Sequence, residues 1–421
     1  MDYEGALGYL YGLRVLGKKA GLSGIIRLMQ LLGDPQSSLR FIHIAGTNGK
    51  GSTTVMLSNI LKHTGYKTGI FISPYITDFR ERIQINGEMI SKSVFTQIVE
   101  TVKEQVDIMS AQNEYPTFFE VVTAIALCYF SRECCDVVCL EVGLGGRFDA
   151  TNVIERALVS VITSVSLDHM ELLGNTVESI AFEKCGILKD GGVCVSYPLQ
   201  EESVLKVIEE QCVLKHNRLI VADISQIHWE ESGYCTKLVY KGMHINLPLP
   251  GRYQVANAAT VFCVIEELRL QGMDIPDTAI VDGMNTVKFP ARLELVSREP
   301  DVIIDGAHNI AGIRALGEYV DSHPAVRKVL LFGVLRDKEY KRIISEIAPK
   351  ADAIVATTPK IDRALPSRDV CEVAKAYCAN VVCEDDFESA VDIAKAFAGK
   401  DGAVFVCGSL YLASDVRKIL L

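Results

Sequence analysis

Two α/β lobes, a larger one followed by a smaller, are what this sequence predicts, and three observations predict them. Short β-branched or aliphatic runs alternate with helix-like segments, the pattern of βα units around a parallel sheet. The 421 residues exceed what one ordinary core organises. The alternation breaks once, at Phe289-Pro290, and restarts with a fresh strand at Val302-Ile303-Ile304.

Each element has its own reason. Phe41 to Ala45 is short and apolar and reads as a strand, with Ser52 to Thr64 as the helix after it. Thr68 to Ile72 is a second strand. Phe118 to Arg132 is apolar on nearly every face and reads as a buried helix, and Val137 to Val142 as a central strand. Leu158 to Val165 is another strand, and Ser179 to Leu188 a helix. Between Trp229 and Leu249 the pattern alternates: Lys237-Leu238-Val239-Tyr240 and His244-Ile245-Asn246-Leu247 suggest a hairpin near Gly242, an antiparallel addition to the first domain. Strands then recur at Val329 to Phe332, Ala353 to Ala356, Val381-Val382 and Val404 to Cys407. The expected domains are residues 1–296 and 297–421, with no internal repeat or low-complexity tract.

Composition narrows the partners. Hydrophobic residues make up 49% and charged residues 23%, as in a well-packed globular protein. A net charge of -10 repels a nucleic-acid backbone, yet a few cations in one cleft can still hold a small anion. Small-molecule substrates are therefore expected, with no nucleic acid, no membrane, and action as a monomer. The thirteen cysteines are odd in number, sit in apolar runs such as Cys128, Cys134, Cys135 and Cys139, and form no C-x-x-C, which fits reduced thiols in the cytoplasm. Met1 to Gly21 carries Asp2 and Glu4 and lacks the apolar core of a signal peptide. The longest apolar stretch, Val121 to Phe130, falls well short of the ~20 residues that cross a bilayer.

The chemistry begins at His43-Ile44-Ala45-Gly46-Thr47-Asn48-Gly49-Lys50-Gly51-Ser52-Thr53, between a strand and a helix. Glycines there let backbone N–H groups approach phosphate oxygens, and the helix N-terminus adds a favourable dipole. Lys50 supplies a point charge, and Ser52 or Thr53 can bind phosphate or support a metal. The spacing departs from the usual G-x-x-x-x-G-K-[ST], because Gly51 separates the lysine from the hydroxyl.

The form G-T-N-G-K-G-S resembles the phosphate loop of the Mur-ligase superfamily. From about Leu39 to Leu421 the chain is similar to folylpolyglutamate synthases, including those that also act as dihydrofolate synthases. The likeness rests on Ser73-Pro74 with Arg80-Glu81-Arg82-Ile83, Thr117-Phe118-Phe119-Glu120, and the run from Glu141 to Asn152. It continues through Leu167-Asp168-His169, Glu183-Lys184-Cys185-Gly186-Ile187, Asn257-Ala258-Ala259 and Pro290-Ala291-Arg292-Leu293-Glu294. Asp305-Gly306-Ala307-His308-Asn309 and Gly408-Ser409-Leu410-Tyr411 complete it, with Ile310 standing where the family usually has proline.

The resemblance implies a Mur-ligase-like P-loop ATPase domain around a parallel central sheet, plus a smaller Rossmann-like C-terminal domain that takes glutamate. It implies an ATP-dependent ligase that activates a folate carboxylate as an acyl phosphate and joins it to glutamate. ATP would be held by Gly49, Lys50, Gly51, Ser52, Thr53, Asn257, Arg292 and Asp305. Magnesium would be held by Ser73, Glu141 and His169. Lys50, Lys184, His169 and Arg292 would serve catalysis, with Lys184 carrying a carbamate and Asp168 orienting the site. The folate would lie against Thr117, Phe118, Phe119, Glu120, Phe148, Asp149 and Ala150, under the Ser73–Arg82 loop. Incoming glutamate would meet His308 and Ser409.

Taken without the family, several of these residues have plainer readings. Glu141 at a strand end could cap a loop, His169 could be a structural histidine, and Lys184 an ordinary surface lysine. An aromatic pair opening an apolar helix is ordinary core. Arg292 and Asp305 could form an inter-domain salt bridge. A Mur-type ligase of cell-wall synthesis is the nearest alternative, although such enzymes usually carry an additional N-terminal domain. A nucleotide-binding module without catalysis would be expected to lack Glu141, His169 or the Asp305–Asn309 stretch. Dihydropteroate as a second acid substrate is compatible with every motif.

Overall fold

In the computed structural model, which describes residues 1–13 and 21–421, the apolar runs assemble into three sheets. Residues 14–20, part of the Met1–Gly21 stretch read above for leader character, lie outside the described residues. The large sheet is built from β1 (Phe41–Ala45), β2 (Thr68–Phe71), β3 (Ile83–Ile85), β4 (Glu88–Met89), β5 (Val137–Glu141), β6 (Val159–Ile162), β7 (Val193–Ser196) and β8 (Arg218–Val221). Its order is β4-β3-β2-β5-β1-β6-β7-β8; the six strands from β2 to β8 across the sheet run parallel, and β3 and β4 form an antiparallel edge. Every residue of β1 and β5 is buried, because helices cover both faces. Ile42 and Ile44 pack with Leu57 and Phe262 on one face, and Phe41 with Phe95 and Phe130 on the other.

The strand order fixes where a ligand can enter. The chain passes from β1 over β5 to β2, and later from β5 over β1 to β6, so crossovers leave the centre in opposite directions. Such a switch opens a crevice at the strands' carboxyl ends. The register sets Ile44 opposite Glu141 and Ala45 opposite Ile162, which brings three strand ends to the same edge.

The alternating segment forms an antiparallel sheet of β9 (Ile227–Ser232), β10 (Cys235–Tyr240) and β11 (Met243–Leu247). Its β10–β11 turn is Lys241-Gly242, both at positive φ, as a two-residue hairpin requires. Leu238 and Tyr240 face inward, and Tyr240 stacks on Phe262 of the Arg252–Leu270 helix with ring centroids 4.3 Å apart. The opposite tip of this sheet reaches the second lobe: the Tyr234 hydroxyl donates to the Asp301 carboxylate, and Arg298 lies 4.8 Å over the Tyr234 ring.

The small sheet contains β12 (Glu294–Ser297), β13 (Asp301–Ile304), β14 (Lys328–Phe332), β15 (Ala353–Ala356), β16 (Val381–Cys383) and β17 (Ala403–Cys407), in the order β12-β13-β17-β14-β15-β16. All its pairings are parallel except β12 with β13. Apolar layers cover both faces, one including Ile303, Leu330 and Phe405 and the other Ile304, Leu331 and Val404.

One expectation is corrected. Cys371 and Cys383 are disulfide-bonded with Cα atoms 6.4 Å apart, while the other eleven cysteines are free and mostly buried. The Ser367–Ala374 helix and the end of β16 bring these two together without any motif that the sequence could flag. Among the described residues no helix is long and apolar enough to cross a membrane.

Phe262→Ala should remove the ring against which the three-stranded sheet rests and cost about 3–5 kcal/mol. Urea unfolding followed by circular dichroism should show a lower midpoint; an unchanged midpoint would mean that the sheet is held by other contacts.

Candidate active site

After β1 the chain turns through Gly46-Thr47-Asn48-Gly49 into the Lys50–His63 helix. Gly49 caps that helix with φ 86°, and a β-carbon there would lie 2.5 Å from Asn257 Oδ1, so glycine meets both a backbone and a space requirement. The helix therefore opens at Lys50, two residues earlier than the sequence suggests, with its N-terminal dipole over the loop. Lys50 Nζ donates to the carbonyls of Gly46 and Thr47 at 3.1 Å each. Ser52 Oγ accepts from Gln254 Nε2 at 3.3 Å, and Thr53 is buried beneath it.

Lys184 departs from the plain reading of a surface lysine. It is 3% exposed, and its Nζ donates to the same Gly46 carbonyl at 2.7 Å. Burial, joined by the Lys50 charge, pushes its ammonium down to about 7. Glu141, ending β5, is pushed up to about 7 by burial, against the opposing charges of Lys50 and Arg292. Ser73 and Pro74 follow β2 on the adjoining wall. His169 sits in the left-handed region at φ 50°, and burial lowers its pKa while Asp168 opposes that shift.

Asp168 turns toward the small lobe. Its Oδ2 accepts from Asn309 Nδ2 at 3.0 Å and its Oδ1 from Lys338 Nζ at 2.5 Å. Burial alone would raise this carboxyl; the Lys338 and His169 charges and these two bonds outweigh it and hold the group well below the usual carboxylate range.

The small lobe presents its groups through an unusual backbone. Ala291 and Leu293, on either side of Arg292, both have positive φ, at 54° and 47°. Asp305 fixes that segment: its Oδ2 accepts from Leu293 N at 3.0 Å and its Oδ1 from Ala307 N at 2.8 Å. Arg292 Nη1 donates to the Ala291 carbonyl at 2.9 Å, with its guanidinium 5.1 Å over Phe289. A β-carbon on Gly306 would meet Arg292 Nη1 at 2.4 Å and Leu410 Cδ2 at 2.2 Å, so a side chain there would push both of these ends aside. His308 Nδ1 donates to the Gly306 carbonyl at 2.8 Å; burial, then Lys338, hold its pKa down to about 4, so the ring is neutral. Asn309 caps the Ile310–Ser322 helix by accepting from Gly312 N, and its amide pairs with Asn48 of the phosphate loop at 3.1 and 3.2 Å. That cap fixes the helix start where the family usually has proline, while Ile310 packs into the small core.

These groups share one cavity of about 440 Å³ between the lobes. Gly49, Lys50, Gly51, Ser52, Ser73, Glu141, His169 and Lys184 line it from the large lobe, with Asn257 from the Arg252–Leu270 helix, and Arg292, Asp305 and His308 from the far side. Tyr197, Leu199 and Tyr253 also line it and carry no sequence signal beyond apolar strand and helix neighbours. Thr53 and Ser409 lie just behind the walls, with Ser409 capping the Leu410–Leu420 helix by accepting from Tyr411 N at 3.1 Å.

The residues expected to meet folate lie outside this lining. Thr117 and Glu120 form a reciprocal cap on the Phe118–Arg132 helix, and Glu120 also accepts from Ile25 N at 2.9 Å. Phe118 stacks on Tyr11 at 6.1 Å, and Phe119 tilts against Phe71 at 5.9 Å. Asp149 is buried and accepts from Leu144 N, Thr151 N and Thr151 Oγ1, which ties the loop after β5 to itself. Ala150 is buried, and Phe148 is exposed with the Arg147 guanidinium 4.8 Å over its ring.

Family models match the chain in two stretches, the Mur ligase middle domain over residues 44–265 and the Mur ligase glutamate ligase domain over residues 291–410. The dihydrofolate synthase/folylpolyglutamate synthase of Bacillus subtilis (strain 168) is 35% identical, with 99% of each chain covered. This chain belongs to the folylpolyglutamate synthase family of Mur ligases. The Escherichia coli (strain K12) dihydrofolate synthase/folylpolyglutamate synthase is 32% identical over 98% of this chain and 94% of its own. The Mycobacterium tuberculosis folylpolyglutamate synthase complexed with ADP has a TM-score of 0.90 and 30% identity, covering 100% of this chain and 99% of its own. Escherichia coli FolC in complex with DHPP and ADP has a TM-score of 0.84 and 29% identity, covering 98% and 97%. The two-lobed α/β architecture is that of the folylpolyglutamate synthase family, and the chain is an ATP-dependent ligase.

Gly306→Ala should displace Arg292 and lower kcat on the order of a hundredfold with the fold retained, since small misplacements in such a site are that costly. Steady-state ligation rates and circular dichroism check this; an unchanged kcat would remove the need for Arg292 to pass this glycine.

Proposed function

We propose that this ligase uses ATP to convert the carboxylate of a tetrahydrofolate into an acyl phosphate, which the amino group of L-glutamate then attacks, and that dihydropteroate serves as a second acid substrate. The observation that carries this reading is the shared cavity: the glycine-lysine loop forms one wall, and Arg292, Asp305 and His308 form the other. The printed names of relatives aligned along the whole chain, folylpolyglutamate synthase and dihydrofolate synthase, support the choice of acid.

A carboxylate oxygen is a poor leaving group, so the amine cannot displace it directly. Transfer of the γ-phosphoryl group forms a phosphorus–oxygen bond to the carboxylate and releases ADP. Amine attack then forms the amide through a tetrahedral intermediate and expels phosphate. Lys50 exchanges its contacts with the Gly46 and Thr47 carbonyls for phosphate oxygens, beside the N–H groups opening the Lys50–His63 helix. Gly49, Gly51, Ser52, Thr53 and Asn257 shape the nucleotide's bed, and Arg292 and Asp305 engage it from across the cleft. His308, neutral, and Ser409 take the incoming glutamate in the domain of residues 297–421. Thr117 to Glu120 and Phe148 to Ala150 hold and shape the folate end.

The donor set fits magnesium. Among the described residues no three histidine, cysteine, aspartate or glutamate side chains cluster into a ready cage. Glu141, however, is a buried carboxylate held up at about 7, which a cation would relieve, and Ser73 and His169 line the same cavity. Magnesium takes one or two carboxylates and completes its shell from phosphate and water. When bound, the ion neutralises charge on the phosphate oxygens during transfer.

Lys184 is the carbamate carrier in this reading. With its ammonium held near 7 by burial and Lys50, much of the amine is unprotonated at neutral pH, the form whose nitrogen adds to carbon dioxide. A carbon–nitrogen bond forms, a proton leaves, and the side chain becomes an anion facing the metal donors. A single copy contributes both cavity walls, which supports action as a monomer. The eleven free cysteines favour a reducing cytoplasm, with the Cys371–Cys383 bond the one feature against it.

Purified protein given ATP, magnesium and glutamate should release ADP and build an amide, read by mass, with tetrahydrofolate and with dihydropteroate in parallel. The absence of both ADP and a new amide with either acid would overturn the assignment. Lys50→Ala should lower phosphoryl transfer by roughly a hundredfold or more while leaving the circular dichroism spectrum intact; near-normal ligation would remove Lys50 from the chemistry. Lys184→Ala should be inactive and recover in part with added short carboxylates, and full activity without any additive would rule out the carbamate.

A further inference from the structure

The two lobes meet at a polar cluster just behind the cavity. Lys338, in the loop after β14 of the small lobe, donates from Nζ to Asp168 Oδ1 at 2.5 Å, and the side chains are only 10% and 9% exposed. Asp168 Oδ2 accepts from Asn309 Nδ2 at 3.0 Å, and Asp168 Oδ1 also accepts from the His169 backbone N at 2.9 Å. Asn309 in turn pairs with Asn48 in the phosphate loop. One large-lobe carboxylate thus receives two small-lobe donors while it fixes the backbone of the residue beside it. Asp168 lines the cavity, whereas Lys338 is not part of that lining.

Breaking a buried ion pair leaves each charge poorly solvated, so this contact resists a partly open cleft far more than an exposed pair would. Its position matters as much as its strength. A shift of the small lobe that broke it would also move His308 and Arg292 away from the phosphate loop.

We propose that Lys338 is a positioning residue: its buried pair with Asp168 latches the small lobe against the phosphate loop and sets His169 for ligation. This rests on the ligase reading above. The acid site and the large-lobe half of the nucleotide site can fill with the latch open, but the glutamate site and the Arg292 and Asp305 contacts of the small lobe come into register only when it is closed.

The test is steady-state ligation with glutamate varied, alongside direct titration of ADP binding. Lys338→Gln should lower kcat/KM for glutamate about tenfold or more, through both constants, while ADP, which keeps its phosphate-loop contacts, should lose affinity by a clearly smaller factor. Lys338→Arg, which keeps the charge, should recover much of the loss. Asp168→Asn should be impaired, and adding Lys338→Gln to it should cost little more, because both changes break one interaction. Tyr234→Phe, at the distant contact with Asp301, should leave kcat/KM for glutamate near that of the parent. Parent-like kinetics for Lys338→Gln, a double variant as poor as the product of the singles, or an equal loss in Tyr234→Phe would each overturn the latch. Failure of the parent protein to make amide would instead count against the ligase reading.

Discussion

Gly46 offers one carbonyl oxygen to two ammonium groups, with the buried Lys184 at 2.7 Å and the half-buried Lys50 at 3.1 Å. Like charges so placed repel strongly, because little solvent lies between them to screen the field. Part of the relief is chemical, since Lys184 sheds its proton near neutrality. The rest must come from anions, and the carboxylates nearby are already engaged: Glu141 is desolvated, and Asp168 is bonded to Lys338 and Asn309. A triphosphate is the natural complement to that deficit. In the proposed reading, the glycine turn, the helix N-terminus and the converging strand ends seat it.

The same electrostatic demand explains the backbone at the junction of the lobes. Arg292 must reach back toward the large lobe from a segment that is about to enter β12. Two residues in the left-handed region make that reversal, at a cost on the order of 1–3 kcal/mol each. Asp305 offsets the strain by accepting from Leu293 N, while Gly306 N donates to the Ala291 carbonyl on the other side, and burial in turn raises the pKa of the Asp305 carboxyl. Arg292 and the carboxylate that holds its backbone segment are therefore one mechanical unit.

Much of this was legible in the residues alone. Strand, glycine turn and helix around Lys50 follow from period and composition, and the Phe118–Arg132 helix appears with the bounds its apolar run predicts. The burial of Lys184 was not, because its nine-residue helix shows no strong apolar face that would reveal which side points inward. Only the family likeness singled that lysine out. Lys338 escaped notice because its partner is 170 residues away, although a charged run at a strand's carboxyl end is where a parallel sheet collects ligands. Thr117 and Glu120 show the reverse case. Their spacing is that of a helix cap as much as of a binding motif, and in the structure their polar atoms bond to the chain itself.

Tyr234 reaches the second lobe from a sheet whose body is fastened to the first through Tyr240 and Phe262. The small lobe is consequently tied to the first away from the reaction at several places, among them the covalent crossing near Pro290, this tyrosine contact and Ile76, which packs into the small-lobe core. With ties spread over separate places, the loss of one leaves the others to hold the lobes in register, so the facing side chains of the cleft keep the same partners.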